Sequence, residues 1–332
     1  MGIPKREKKS KDSKPSKALS LLLRKAELED WNTFIARANK LTPTDLSTLF
    51  KNWELVDGLL DAGYGSWLLS KAPLLDRQDT DLDLQVQILT TFVEMLDHGD
   101  VPLAIATFRS LSPSKLSELT SPTEARLAEF TARAIAIGFN HSLLPNQSLA
   151  IGKGLLSAAG YYFERSNLMA DRVRIWCSLA EYSGLGAEPD YEAACAYLRC
   201  AESVSKDLGL KRLVTKIGLR RAEIDLQRRS GMVTEKQVRD ALKGFYLERN
   251  KNNSGQLARY YSTLARALFR SSGSGKSECE RALRLYDSLG GKFAGLELRF
   301  RLARLTIIDG DYLRSIKHLR EVREIAAQSG FR

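Results

Sequence analysis

The sequence predicts an all-α protein, an α-solenoid of antiparallel helix pairs behind a basic N-terminal tail. Three observations predict it. All nine prolines lie at or before Pro189, so residues 190–332 contain none. A proline-free stretch rich in Ala, Leu, Arg and Glu favours uninterrupted helix. Val, Ile and Thr nowhere alternate over enough residues to suggest a sheet. Apolar residues instead recur at helical spacing, in units that come in pairs.

The expected organisation has three parts: a disordered basic tail (1–17), an N-terminal helical block (18–79) and degenerate helical repeats (80–332). Residues 5–17 read KREKKSKDSKPSK. Lys5, Arg6, Lys8, Lys9, Lys11, Lys14 and Lys17 outweigh Glu7 and Asp12, and no residue there can anchor a core. Such a tail suits nucleic-acid phosphate, an anionic membrane surface or a nuclear address, or is simply a solubilising segment. Gly2 invites N-myristoylation, but Arg6 stands where that pattern wants Ser or Thr, so no acyl anchor is expected.

The block that follows carries Leu22, Trp31, Phe34, Ile35 and Ala38 at helical spacing. Thr42-Pro43-Thr44-Asp45 reads as a helix start, and Leu46, Leu49, Phe50, Trp53, Leu55 and Val56 continue the pattern. Gly63-Tyr64-Gly65-Ser66 reads as a turn between helices, because no strand precedes it and no third glycine completes a dinucleotide loop. The four tryptophans, Trp31, Trp53, Trp67 and Trp176, read as core anchors.

Within the repeats the clearest unit is Arg299–Val322. Leu302-Ala303 sits in a first helix, Gly310-Asp311-Tyr312 turns the chain, and Ser315, Ile316, Leu319 and Val322 are expected on the inner face of a second. Small residues at Ala303 and Ser315 permit close helix approach, and Tyr312 is expected to pack the corner. This unit resembles the tetratricopeptide repeat. Trp176, Leu179 and Ala180, followed by Tyr191, Ala194, Leu198 and Ala201, have the same spacing with a longer turn, similar to a Sel1-type repeat. Tyr261, Leu264, Ala265 and Leu268 with Ala282, Tyr286 and Leu289 make a third unit. His98-Gly99-Asp100-Val101 with Ala104, Ile105 and Phe108 supplies a turn and second helix, and residues 213–248 a weaker pair around Ser230-Gly231-Met232, with Ala222, Leu226, Ala241 and Phe245 inward.

The resemblance implies a superhelix whose first helices line a concave groove. Carried over position by position, the groove-facing residues are Arg259, Ser262, Arg266 and Arg270 on one first helix. On the last they are Glu297, Phe300, Arg304 and Ile308. Arg259, Arg266, Arg270 and Arg304 are therefore the expected partner-binding residues. Guanidinium forks suit carboxylates and phosphates, so the partner implied is a protein presenting an acidic segment.

Other chemistry is poorly supported. Arg270–Ser277, RSSGSGKS, ends like a phosphate loop, but Arg270 replaces the first glycine and a helix precedes it. It reads as a Gly/Ser turn. Only three histidines are present, His98, His141 and His318, and Cys177, Cys195, Cys200 and Cys279 lack metal-site spacing. No catalytic residue, cofactor or metal ligand is expected. Hydrophobic residues at 43% exclude wholesale disorder, no apolar run approaches the roughly 20 residues a membrane span needs, and no secretory signal opens the chain. Few cysteines suit a reducing, cytoplasmic setting, or the nucleus if the source is eukaryotic. The expectation is a non-catalytic interaction scaffold or adaptor. The alternative is a nucleic-acid-associated regulator working through the tail, for which the net charge of +11 allows.

Overall fold

The computed structural model describes residues 31–75, 79–111, 119–140, 143–229, 234–243, 254–289 and 295–328, together with Leu22. Sixteen α-helices and no strand occur among the described residues. The first four form the N-terminal block: α1 (Trp31–Ala38), α2 (Pro43–Phe50), α3 (Trp53–Asp61) and α4 (Gly65–Lys71). Six antiparallel pairs follow: α5 (Thr80–His98) with α6 (Val101–Leu111), α7 (Pro122–Asn140) with α8 (Gln147–Arg165), and α9 (Met169–Ser183) with α10 (Tyr191–Asp207). Then come α11 (Lys211–Arg228) with α12 (Glu235–Lys243), α13 (Ser254–Ser272) with α14 (Lys276–Ser288), and α15 (Leu296–Ile308) with α16 (Tyr312–Gln328). No described helix is long and apolar enough to cross a membrane.

The helix starts are written locally. Thr42, Asn52, Asp79 and Asp190 each accept a backbone N–H from the first turn of the helix they precede. The two Gly-Asp turns behave alike. Gly99 and Gly310 both have φ 77°, a left-handed conformation that glycine adopts without steric cost. The following aspartates then accept from Leu103 N and Arg314 N.

Successive first helices touch one another at α5–α7, α7–α9 and α11–α13, whereas successive second helices do not to a comparable extent among the described residues. The stack therefore curves toward the first helices, which form its inner side. One apolar core runs without interruption from Leu22 and Trp31 through the N-terminal block to Tyr182 in α9. Smaller clusters around Leu198, Leu264 and Leu302 hold the later pairs. The pair α7/α8 is the one that sequence motifs did not single out, because no Gly-Asp turn joins its helices.

At the far end, Ser315 Oγ donates to Ala303 O at 3.0 Å, so two small residues bring α15 and α16 together. Val322 on the expected inner face of α16 is half-buried, but the middle of that face is open. Ile316, Leu319 and Tyr312 are exposed, and Leu313 is 84% exposed. Tyr312 does not pack the corner. These side chains occupy the side on which a following pair would stack, and α16 is the last described helix. The turn at 230–232, Phe245 and the Ala241 side chain lie outside what is described, as does His141.

Candidate binding groove

The inner side is already partly occupied by the chain itself. Helix α3, WELVDGLLD, is amphipathic in an unusual way. Leu55, Val56 and Leu59 are buried, and so is Asp57, at 5% exposure. Asp57 reaches three arginines on two first helices: Arg126 Nη1 at 3.2 Å, Arg174 Nε at 3.1 Å and, more loosely, Arg133 Nη1 at 3.8 Å. Arg126, fully buried, also bonds Glu129 at 2.6 Å and Asp171, which Arg174 shares. Its guanidinium lies 5.3 Å from the Trp53 ring centroid and 5.5 Å from that of Phe163. Arg126, Arg133 and Arg174 thus face Asp57, Glu129 and Asp171, three charges against three.

That balance decides the protonation states. Burial opposes the charge on Arg126, but Glu129, Asp57 and Asp171 outweigh it and hold its pKa above the ordinary value. Burial pushes the Glu129 and Asp171 carboxyls up, with Arg126 opposing in each case.

One turn further along α3, Asp61 pairs with Lys216 of α11 at 2.7 Å. The backbone then meets α13, where Gly255 N–H donates to Ala62 O at 3.3 Å. The approach is close enough that a Cβ at Gly255 would collide with the Asp61 carbonyl oxygen. Gly63 abuts the end of α14, where a Cβ would sit 2.6 Å from Leu289 Cδ2. The nine-residue helix and its C-terminal turn therefore span from α7 to the α13/α14 pair.

Beyond α3 a ladder of alternating charges continues across the first helices. Arg220 bonds Glu181 at 2.7 Å and Glu223 at 2.8 Å. Glu223 also accepts from Thr263 Oγ1 at 2.7 Å and lies 3.7 Å from Arg259. Burial opposes ionisation of Glu181 and Glu223, yet Arg220 and Arg259 hold both carboxyls below the usual range. Glu297 is shared by Arg266 at 2.8 Å and Arg301 at 2.6 Å.

The four arginines expected to bind a partner thus fall into two sets. Arg259 and Arg266 are engaged with Glu223 and Glu297. Arg270 and Arg304 are exposed and have no ion pair among the described residues. Partial burial, with Arg266 and Arg301 nearby, pushes the Arg270 pKa down, so an added anion there would relieve like-charge repulsion. Arg304 lies 5.1 Å from the Phe269 ring centroid, and Arg301 shares that ring at 5.3 Å. The tail residues Lys5, Arg6, Lys8, Lys9, Lys11, Lys14 and Lys17 lie outside the described residues.

Sequence reasoning missed the Asp57–Arg126 cluster and Arg301. A signal existed for the former. Helix α7 is buried on nearly every side, so Arg126 and Glu129, three residues apart, had no solvent-facing stripe to occupy. The phosphate-loop-like segment serves packing instead. Gly275 presses against Ala265 O and Leu268 Cβ, and Lys276 is tied to Asp309 at 2.6 Å. Burial pushes the Cys177 thiol up to about 11 and the Cys279 thiol up to about 12, which suits packing rather than nucleophilic work. No group of three or more His, Cys, Asp or Glu among the described residues is placed to hold a metal ion.

No family model matches the sequence, and no curated protein matches it. Among solved structures, the chain is similar to the Rap conjugation gene regulator of the plasmid pLS20 in complex with the Phr peptide. The identity is 14%, with 94% of this chain and 95% of that chain covered at a TM-score of 0.46. A likeness so distant bears on no residue of the groove, and the architecture stands on the chain's own helix pairs.

Proposed function

We propose that this protein is a non-catalytic helical-repeat scaffold that binds an acidic segment of another protein along the inner side of α13 and α15. Arg270 and Arg304 make the first contacts, and Arg259 and Arg266 stand behind them, aligned by Glu223 and Glu297. One observation carries the reading: the same side of the stack already takes carboxylates, because Asp57 and Asp61 of α3 dock on Arg126, Arg174 and Lys216. The C-terminal arginines Arg270 and Arg304 continue that series of first-helix cations and have no ion pair among the described residues.

Each charge-assisted contact contributes about 1.5–3 kcal/mol, roughly tenfold or more in affinity. Arg270→Glu with Arg304→Glu removes two such contacts while leaving the Arg266–Glu297 pair intact. A fluorescein-labelled deca-glutamate peptide, followed by anisotropy, is the first probe. The wild type should bind it and the double variant should lose at least a hundredfold. Arg323→Glu, on the exposed side of α16, should change binding by less than threefold. Equal loss in both variants, or none in the first, removes the groove as the binding surface.

A further inference from the structure

Carboxylates and cations balance along most of the inner side. Asp57, Glu129 and Asp171 face Arg126, Arg133 and Arg174, and Glu181 and Glu223 face Arg220 and Arg259. The balance ends between α13 and α15. There Arg266 and Arg301 share Glu297, and Arg301 and Arg304 both stand over the Phe269 ring, 5.3 and 5.1 Å from its centroid. Arg270, one turn beyond Arg266, is pushed below its ordinary pKa by partial burial and then by Arg266 and Arg301, with Glu297 opposing. Glu223 also lies in the field of Arg266, but it is already bonded to Arg220. Four guanidiniums thus gather where Glu297 is the carboxylate bonded to them among the described residues.

Their forks are only partly used. Glu297 takes one bond from Arg266 Nη2 and one from Arg301 Nη2, each on a different oxygen. Arg266 Nε and Arg301 Nε are buried without a hydrogen-bond partner. A guanidinium has five N–H donors, and a buried donor left unmet costs free energy. Phe269 holds Arg301 and Arg304 by cation–π contact, which positions two of the forks before any ligand arrives. One added carboxylate would leave this cluster strongly positive. A phosphate monoester carries about −1.5 to −2 at pH 7 and several acceptor oxygens, and arginine forks match it bidentately. A nucleic-acid phosphodiester carries a single charge, and Phe269, the ring against these arginines, already carries two guanidiniums.

We propose that Arg266, Arg270, Arg301 and Arg304 form a phosphate-monoester site between α13 and α15, which takes a phosphorylated Ser or Thr side chain within the partner's acidic segment. This inference rests on the acid-binding reading of the groove and names the group read there. Glu297 aligns Arg266 and Arg301 and leaves a positive charge that a dianion neutralises better than a carboxylate does.

The probe is a fluorescein-labelled peptide of four glutamates on either side of one phosphoserine, followed by anisotropy beside the same peptide with serine or glutamate at that position. The wild type should bind the phosphopeptide at least tenfold tighter than the serine peptide and at least threefold tighter than the glutamate peptide. Arg270→Gln should cut the tenfold gain to threefold or less. Arg270 is exposed and has no ion pair among the described residues, so this variant keeps the packing. Arg301→Gln, with helical signal unchanged, should do the same, whereas Arg323→Gln on α16 should keep the gain. A phosphopeptide no tighter than the glutamate peptide, or a gain that survives both Arg270→Gln and Arg301→Gln, overturns the site. Inorganic phosphate that competes as well as the phosphopeptide overturns the assignment to a segment, and a decathymidine oligonucleotide that binds more tightly than the phosphopeptide overturns the assignment to a protein. If all three peptides bind alike, the phosphate site alone fails; if none binds, the acid-binding reading fails with it.

Discussion

Asp57→Asn should be among the most damaging single-atom changes available in this protein. The carboxylate sits between Arg126 and Arg174, both nearly or wholly inaccessible, in a cluster whose three positive and three negative charges balance. Asparagine keeps the shape and removes the charge, leaving one net positive charge buried. Breaking one side of a buried pair costs about 3–5 kcal/mol. For a chain of this size each kcal/mol moves the melting temperature by about 2–4 °C, so a fall of about 10 °C is expected by differential scanning calorimetry. Arg126→Met should cost a similar amount by leaving one net negative charge. The double variant restores a two-against-two balance and replaces a guanidinium by an apolar side chain between Trp53 and Phe163. Its cost should therefore fall short of the sum of the singles by at least about 1–2 kcal/mol, the size of coupling expected between contacting groups. Simple additivity, or an Asp57→Asn penalty below about 1 kcal/mol, would refute the account of the cluster as a mutually neutralising unit.

Ala303→Asp places a carboxylate where Ser315 contacts the α15 backbone, so it should unfold the last pair, seen as lost helical signal and rapid proteolysis near residue 310. Leu313→Lys, by contrast, should change stability by no more than about 0.5 kcal/mol, since the side chain is already in solvent. Glu297 has a folded-state pKa below its unfolded value, because Arg266 and Arg301 outweigh burial. Its contribution is therefore present above the unfolded carboxyl pKa of about 4.3 and is lost as pH falls through the folded value. Glu297→Gln should be less stable than wild type at pH 7, with the difference closing below about pH 4 in urea titrations. Under iodoacetamide, mass spectrometry should find Cys200, which is exposed, labelled first, and Cys177 and Cys279 protected until the chain unfolds.

Much of the fold was legible because its causes are local. Helix propensity, the absence of proline after Pro189, and caps such as Asp100 and Asp311 act over a few residues and are readable in a row of letters. So were five of the six pairs, since each carries small residues at the crossing or a Gly-containing turn. Helical spacing also places Arg259, Arg266 and Arg270 on one helix, α13, while their groove-facing role came from the resemblance to the tetratricopeptide repeat.

What those arginines meet was decided only by tertiary structure. Glu223 and Glu297 engage Arg259 and Arg266 from neighbouring first helices, whereas Arg270 and Arg304 of the four have no carboxylate partner among the described residues. The occupancy of the groove by α3 was equally invisible. Asp57 meets Arg126 across 69 residues of sequence, and Asp61 meets Lys216 across 155. A charge on an amphipathic helix reads as a surface residue until a partner for it is known. The partner here is supplied by superhelical curvature, which the packing of first helices sets and no single segment encodes.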